Sequence, residues 1–181
     1  AIQNSVRIIR SLELYRDKFP KHRMILTEFC MAHKDRFDFN KQLDVYGHEF
    51  IGDIAAGADT LIDWNLILDH KGGPNHVGNY CMAPVMTDAE YRPHYNMAFK
   101  VISTLSSCIR PGDVVIEHSK YKNDIDVVAV ISPNDGIRVI IGAIKSPQSI
   151  NVRIREQVFS FTVPAGTLTV LELEGKDYEQ N

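Results

Sequence analysis

The hydrophobic period of this chain changes once, at Pro111-Gly112, and that change limits its fold more than any other feature. Upstream, apolar residues recur at helical spacing. One stripe is Val6, Ile9, Leu12 and Tyr15; a second is Leu43, Tyr46, Phe50, Ile51 and Ile54; a third is Met97, Val101, Leu105 and Ile109. Such spacing lays an apolar face along a helix. Two apolar runs, MILTEFC (24–30) and DTLIDWNLIL (59–68), separate the stripes and read as buried parallel strands. Downstream the period falls to two. VVIEHSK, DVVAVIS, IRVIIGAI, NVRIRE, VFSFTV and TLTVLEL read as successive strands. The order predicts α/β structure over residues 1–110 and an all-β domain over 111–181.

Local punctuation supports these elements. Pro20 stops the first helix, Asp38-Phe39-Asn40 offers caps for the second, and Gly57 ends it. The third helix is expected to start near Pro93, which suits a first helical turn, and to end at Pro111-Gly112. Asn134-Asp135-Gly136 signals a hairpin turn. Two strand–helix units cannot close a parallel barrel, and an isolated parallel pair leaves raw edges. Residues 1–110 are therefore expected to be part of a larger domain, with the chain as the C-terminal piece of a longer protein.

Composition narrows the function classes. The chain is 44% hydrophobic and 24% charged, with net charge −3, so no strong positive field favours nucleic acid. The basic run Arg7, Arg10, Arg16, Lys18, Lys21 and Arg23 is broken by Glu13 and Asp17 and reads as a solvated helix face. No apolar run reaches the roughly 20 residues of a membrane helix. Cys30, Cys81 and Cys108 are odd in number and far apart, which favours free thiols over a disulfide framework. The compartment stays open between cytoplasmic and secreted.

Glu28 is the most informative residue. A carboxylate at the C-terminal end of an apolar strand is costly to bury unless paired or used, and in parallel barrels catalytic groups sit at that end. A solvated or ion-paired glutamate is the plain alternative. Trp64 can floor a sugar ring or simply fill a core. Asp63 beside it can serve as a structural acceptor. GGPNHVGN lacks the spacing of a phosphate-binding or dinucleotide loop and permits a sharp reversal. Asn79 and Tyr80 lie on its returning arm. His48-Glu49 lacks a second metal-binding histidine, and Cys30 with His33 are too few ligands for zinc. No serine occupies a nucleophile elbow.

Several of these pieces occur in one order: TEFC around Glu28, DWNLILDHKGGPNHVGNY at 63–80, IRPGD at 109–113, and KNDIDVVAVISPNDGIRVII at 122–141. In that order they resemble the C-terminal half of a glycoside hydrolase family 30 enzyme, the glucosylceramidase-like family. The resemblance implies the C-terminal part of a (β/α)8 TIM barrel followed by a β-sandwich. MILTEF would be the seventh barrel strand and TLIDWNL the eighth. It implies a retaining β-glycosidase with Glu28 as nucleophile and Trp64, Asn79, Tyr80 and Cys30 around the substrate. The acid/base glutamate of the family, in an Asn-Glu motif after the fourth strand, has no counterpart here. The fragment alone is therefore expected to be inactive. The implied partners are a carbohydrate or glycolipid substrate and the remaining N-terminal half of the barrel; no cofactor or metal is implied. Glucosylceramide, β-1,6-glucan and β-xyloside specificities remain open. A non-catalytic carbohydrate-binding or interaction module is the rival from another class.

Overall fold

The computed structural model describes residues 2–121, 125–133, 136–142 and 146–174. The first part alternates as the periodicity predicts: α1 (Ile2–Lys18), β1 (Ile25–Phe29), α2 (Phe39–Ala55) and β2 (Thr60–Asp63). β1 and β2 pair in parallel. Asp38 caps α2, its carboxylate accepting the Lys41 N–H at 3.0 Å. Gly57 follows the helix with φ +102°, a conformation that favours glycine.

The second apolar run is not one strand. β2 stops at Asp63, and Ile67–Leu68 form β3 in a different sheet, paired with β4 (Val85–Thr87). The last bond between the first two strands is Trp64 N–H to the Phe29 carbonyl, 2.8 Å, after which the chain leaves the pair. Nor are β1 and β2 buried on both faces. Leu26, Phe29 and Leu61 pack on the core under α2, whereas Ile25 is 53% exposed and Ile62 46% on the uncovered face.

Pro93 does not open a helix. It begins β5 (Pro93–Tyr95), which pairs antiparallel with β4. The Asp88 carboxylate organises the tight turn between them, accepting the N–H groups of Glu90 and Arg92, each at 2.9 Å. The helix, α3, spans Met97–Cys108. Its first N–H, at Met97, is satisfied by the buried Gln42 of α2 at 3.1 Å, while Asn96 donates to the Ala83 carbonyl at 2.7 Å.

Beyond Pro111 the chain forms β6 (Val114–Val115), β7 (Asp126–Ser132), β8 (Gly136–Gly142), β9 (Gln148–Ile154), β10 (Gln157–Val163) and β11 (Thr169–Leu173). Four of these make an antiparallel sheet in the order β11-β8-β7-β6, and β9 with β10 makes a hairpin. VVIEHSK contributes only two strand residues. Asn134 and Asp135 of the expected hairpin turn lie outside the described residues, but Ser132 pairs with Gly136 across it. The near-continuous apolar runs of β7 and β8 have a clear cause. Val128, Val130 and Ile140 pack against α2 and α3, while Ala129, Val139 and Ile141 pack toward Phe159, Phe161, Ile150 and Val152 of the hairpin. Both faces are covered, so both sets of alternating residues are apolar. One core thus runs from the helices into the sheet across Pro111.

Two polar ties reinforce that junction. His48 Nδ1 of α2 meets the Asp126 carboxylate of β7 at 2.9 Å. Arg138 of β8, nearly buried, donates to Glu172 at 3.0 Å, to the Cys108 carbonyl at 3.3 Å and toward Asp113 at 3.5 Å.

Candidate active site

The C-terminal ends of β1 and β2 carry the predicted site, and a bulge shapes it. Leu26 pairs with Leu61 and Phe29 with Asp63, so β1 spends one residue more than β2 over that interval. Without the bulge, Leu26 and Glu28 would share a face. With it, Leu26 and Phe29 both turn to the helix layer, and Thr27 and Glu28 are exposed. Bulges re-aim side chains in this way. Phe29 locks the arrangement, its ring meeting Tyr46 and Phe50 edge-on at 5.0 and 5.5 Å.

Trp64 stands at the matching end of β2, 53% exposed, its N–H bonded to the Phe29 carbonyl. It is not a core tryptophan. Asp63, just before it, turns inward. Burial pushes its carboxyl up to about 6, with only partial relief from the Tyr46 hydroxyl and the Trp64 and Asn65 N–H groups. Those neighbours are near enough to bias its protonation, yet neither oxygen completes a well-formed hydrogen bond, and nor does the buried Tyr46 hydroxyl. Burial raises Tyr46 in turn, and the Asp63 charge adds to it.

The loop from Asp69 returns the chain to this end. The Asp69 carboxylate accepts the Lys71 and Gly73 N–H groups at 2.8 and 2.9 Å, which pulls its pKa down. Gly73-Pro74 is cis. Gly72 has φ +82°, and a Cβ there would meet the Cys81 carbonyl at 2.6 Å and the His33 ring at 2.8 Å, so only glycine fits. The returning arm pairs with the segment after β1: His33 N–H donates to the Tyr80 carbonyl at 3.1 Å, and Met82 N–H to the Met31 carbonyl at 2.9 Å.

This pairing brings Asn79 and Tyr80 against the loop that follows Glu28. Both line an open cleft of about 900 Å³ with Ala32, His33, Arg36 and His70. Glu28 and Trp64 do not line it; they occupy the neighbouring strand ends. Cys30 does not line it either; its sulfur lies 3.3 Å from that of Cys81. Sequence reasoning missed Cys81, because no short-range pattern links residues 51 positions apart. It also passed over Tyr46 as an ordinary core residue; only the strand register reveals the carboxylate facing it. Among the described residues, no group of three or more His, Cys, Asp or Glu side chains could hold a metal ion. None of the described helices is long and apolar enough to cross a membrane.

Comparison with known proteins bears on this geometry. The chain is similar to putative glucosylceramidase 4 of Caenorhabditis elegans, 24% identical over 131 residues, covering 69% of this chain and 25% of that protein. It is 26% identical over 153 residues to the lysosomal acid glucosylceramidase of Mus musculus, covering 79% of this chain and 29% of that one. The chain therefore spans a quarter to a third of the length of these relatives. Among solved structures, SrfJ from Salmonella typhimurium superposes with a TM-score of 0.82 at 26% identity, over 90% of this chain and 37% of that chain. Residues 10–109, more than half the chain, match the glycosyl hydrolase family 30 TIM-barrel domain, and on that match the chain belongs to glycosyl hydrolase family 30.

Proposed function

We propose that this chain is the C-terminal part of a retaining β-glycosidase, with Glu28 as its nucleophile. One observation carries the reading: the β1 bulge turns Glu28 out of the helix-packed face at the C-terminal end of a parallel barrel strand. An ionised carboxylate there attacks the anomeric carbon and forms a glycosyl-enzyme. A second carboxyl, about 5–5.5 Å away, protonates the leaving oxygen and then activates water. That second group is supplied from outside these 181 residues, so this segment alone does not turn over substrate. Trp64 offers its indole face to the sugar ring, and Asn79 and Tyr80 border the pocket mouth. Cys30, two residues after Glu28, stands near the nucleophile at the edge of the substrate site.

On this reading residues 1–110 belong to the last part of the barrel and 111–181 to a β-sandwich domain, of which 1, 122–124, 134–135, 143–145 and 175–181 lie outside the described residues. The N-terminal half of the barrel covers the exposed face of Ile25 and Ile62. The substrate is a β-glucoside, glucosylceramide or a β-glucan. A 2-fluoro glucoside that traps the glycosyl-enzyme, given to the complete enzyme, is expected to label Glu28. Glu28→Gln is expected to lower turnover on the order of 10³-fold or more. A label on another residue, or full activity in the variant, would sink the assignment. A binding-only module draws on one observation of its own: the open cleft is lined by Asn79 and Tyr80 but not by Glu28. Turnover by the complete enzyme would exclude it.

A further inference from the structure

Cys30 and Cys81 are 51 positions apart in the chain, yet the Cys30 thiol points at the Cys81 sulfur from 3.3 Å. Both are free. Backbone holds them together from both sides. Ala32 bridges Cys81 in antiparallel fashion, with the His33–Tyr80 and Met82–Met31 hydrogen bonds flanking the bridge. Glu28 lies two residues before Cys30, and Asn79-Tyr80 immediately precede Cys81. The thiol pair therefore joins the two arms of the candidate site at their roots. Shortening the contact to the ~2.05 Å of a disulfide takes about 0.6 Å from each sulfur.

We propose that Cys30 and Cys81 form a redox-modification site, a dithiol that a small-molecule disulfide such as oxidised glutathione converts to an intramolecular disulfide. The link fastens the strand end bearing Glu28 to the arm bearing Asn79 and Tyr80.

The chemistry balances in two exchanges. Cys30, the more exposed of the two, gives its proton to solvent and attacks one sulfur of the oxidant. The oxidant's S–S bond breaks, and one glutathione leaves as thiolate and is protonated. Cys81 then loses its proton and attacks the Cys30 sulfur of the mixed disulfide, expelling the second glutathione. Two cysteine thiols are oxidised by two electrons, and one external disulfide is reduced to two thiols. Burial, with the Cys81 thiol next, pushes the Cys30 thiol up to about 12, so the first exchange is slow at neutral pH and accelerates as pH rises. The effect of the link on turnover rests on the nucleophile reading of Glu28; formation of the link does not.

The test needs no activity measurement. The chain is incubated with oxidised glutathione, remaining thiols are alkylated, and disulfide-linked peptides are mapped by mass spectrometry, in buffer and again in urea. In buffer, the Cys30–Cys81 link is expected to predominate, with a rise in Tm of about 5 °C or more. In urea, loop entropy favours Cys81–Cys108, 27 positions apart, over the longer loop. Cys81→Ser is expected to hold glutathione on Cys30, and Cys30→Ser to leave the buried Cys81 unmodified. The proposal is overturned by cysteines that stay fully alkylatable in buffer under oxidised glutathione. A glutathione adduct that persists on Cys30 in the unsubstituted chain overturns it too, as does the same product mixture in buffer and urea.

Discussion

Asp63 is an expensive residue to keep ionised. Its carboxyl rises from 3.8 to about 6 because burial disfavours the charge and neither oxygen is fully hydrogen-bonded. The native state therefore binds its proton more tightly than the unfolded chain does. The stabilisation this gives is fully present below about pH 3.8 and is lost as pH rises through about 6. At neutral pH the ionised group costs about 1–2 kcal/mol, after discounting for its partial exposure. Asp63→Asn, which keeps the shape without the charge, is expected to raise the urea midpoint at pH 7.5 and to change it little at pH 4. An equal effect at both pH values would show that the charge is not the cost. Asp53, also raised to about 6 by burial, acts in the same direction. So does His48, raised by its hydrogen bond to Asp126: its share is present below the ordinary histidine range and is lost as pH rises through the higher native value. Taken together, these three groups are expected to make the chain more stable at pH 5.5 than at pH 7.5, read as a higher urea midpoint.

The junction between α3 and the four-stranded sheet shows what one element contributes to another. Asp113, in the IRPGD stretch, accepts the Arg110 N–H at 2.9 Å and faces Arg138, with both side chains almost fully buried. Glu172 contacts the same guanidinium from solvent, 68% exposed. Asp113→Ala is expected to cost about 2–3 kcal/mol in thermal or urea unfolding, since it strips charge compensation from a buried arginine that keeps its other acceptors. Glu172→Ala is expected to cost less than about 1 kcal/mol. The reverse ranking would mean that burial does not govern this network. Elements of this kind were legible to different degrees. The helices were, because their stripes recur at 3.6 residues, and β9 and β10 were, because their residues alternate. Pro93 misled because a proline suits an edge-strand start as well as a first helical turn. The β1 bulge, the Cys30–Cys81 contact and the inward turn of Asp63 were not legible. Each depends on the register between segments distant in the chain, which no local period encodes.

At the scale of the whole molecule, the unbalanced feature is the β1–β2 pair. One of its faces is sealed by Phe29, Leu26 and Leu61 against α2, and the other presents Ile25 and Ile62 to solvent. In a closed barrel that second face is interior and is filled by layers of side chains from alternate strands. A two-stranded parallel pair cannot supply those layers itself, and its outer edges carry unpaired backbone groups. The 181-residue chain by itself is therefore expected to associate with itself in a concentration-dependent way, through this face and these edges. Sedimentation velocity across a concentration series measures this directly. Replacing Ile62 by Lys is expected to shift the distribution toward monomer without lowering the unfolding midpoint, because Ile62 packs on nothing that the core needs. A chain that stays monomeric at every concentration and unfolds in one sharp transition would mean that the bare face is not a barrel interior. The same experiment, repeated after adding an N-terminal half-barrel as a separate chain, is expected to replace self-association by a one-to-one complex, and Ile62→Lys is expected to weaken that complex as well.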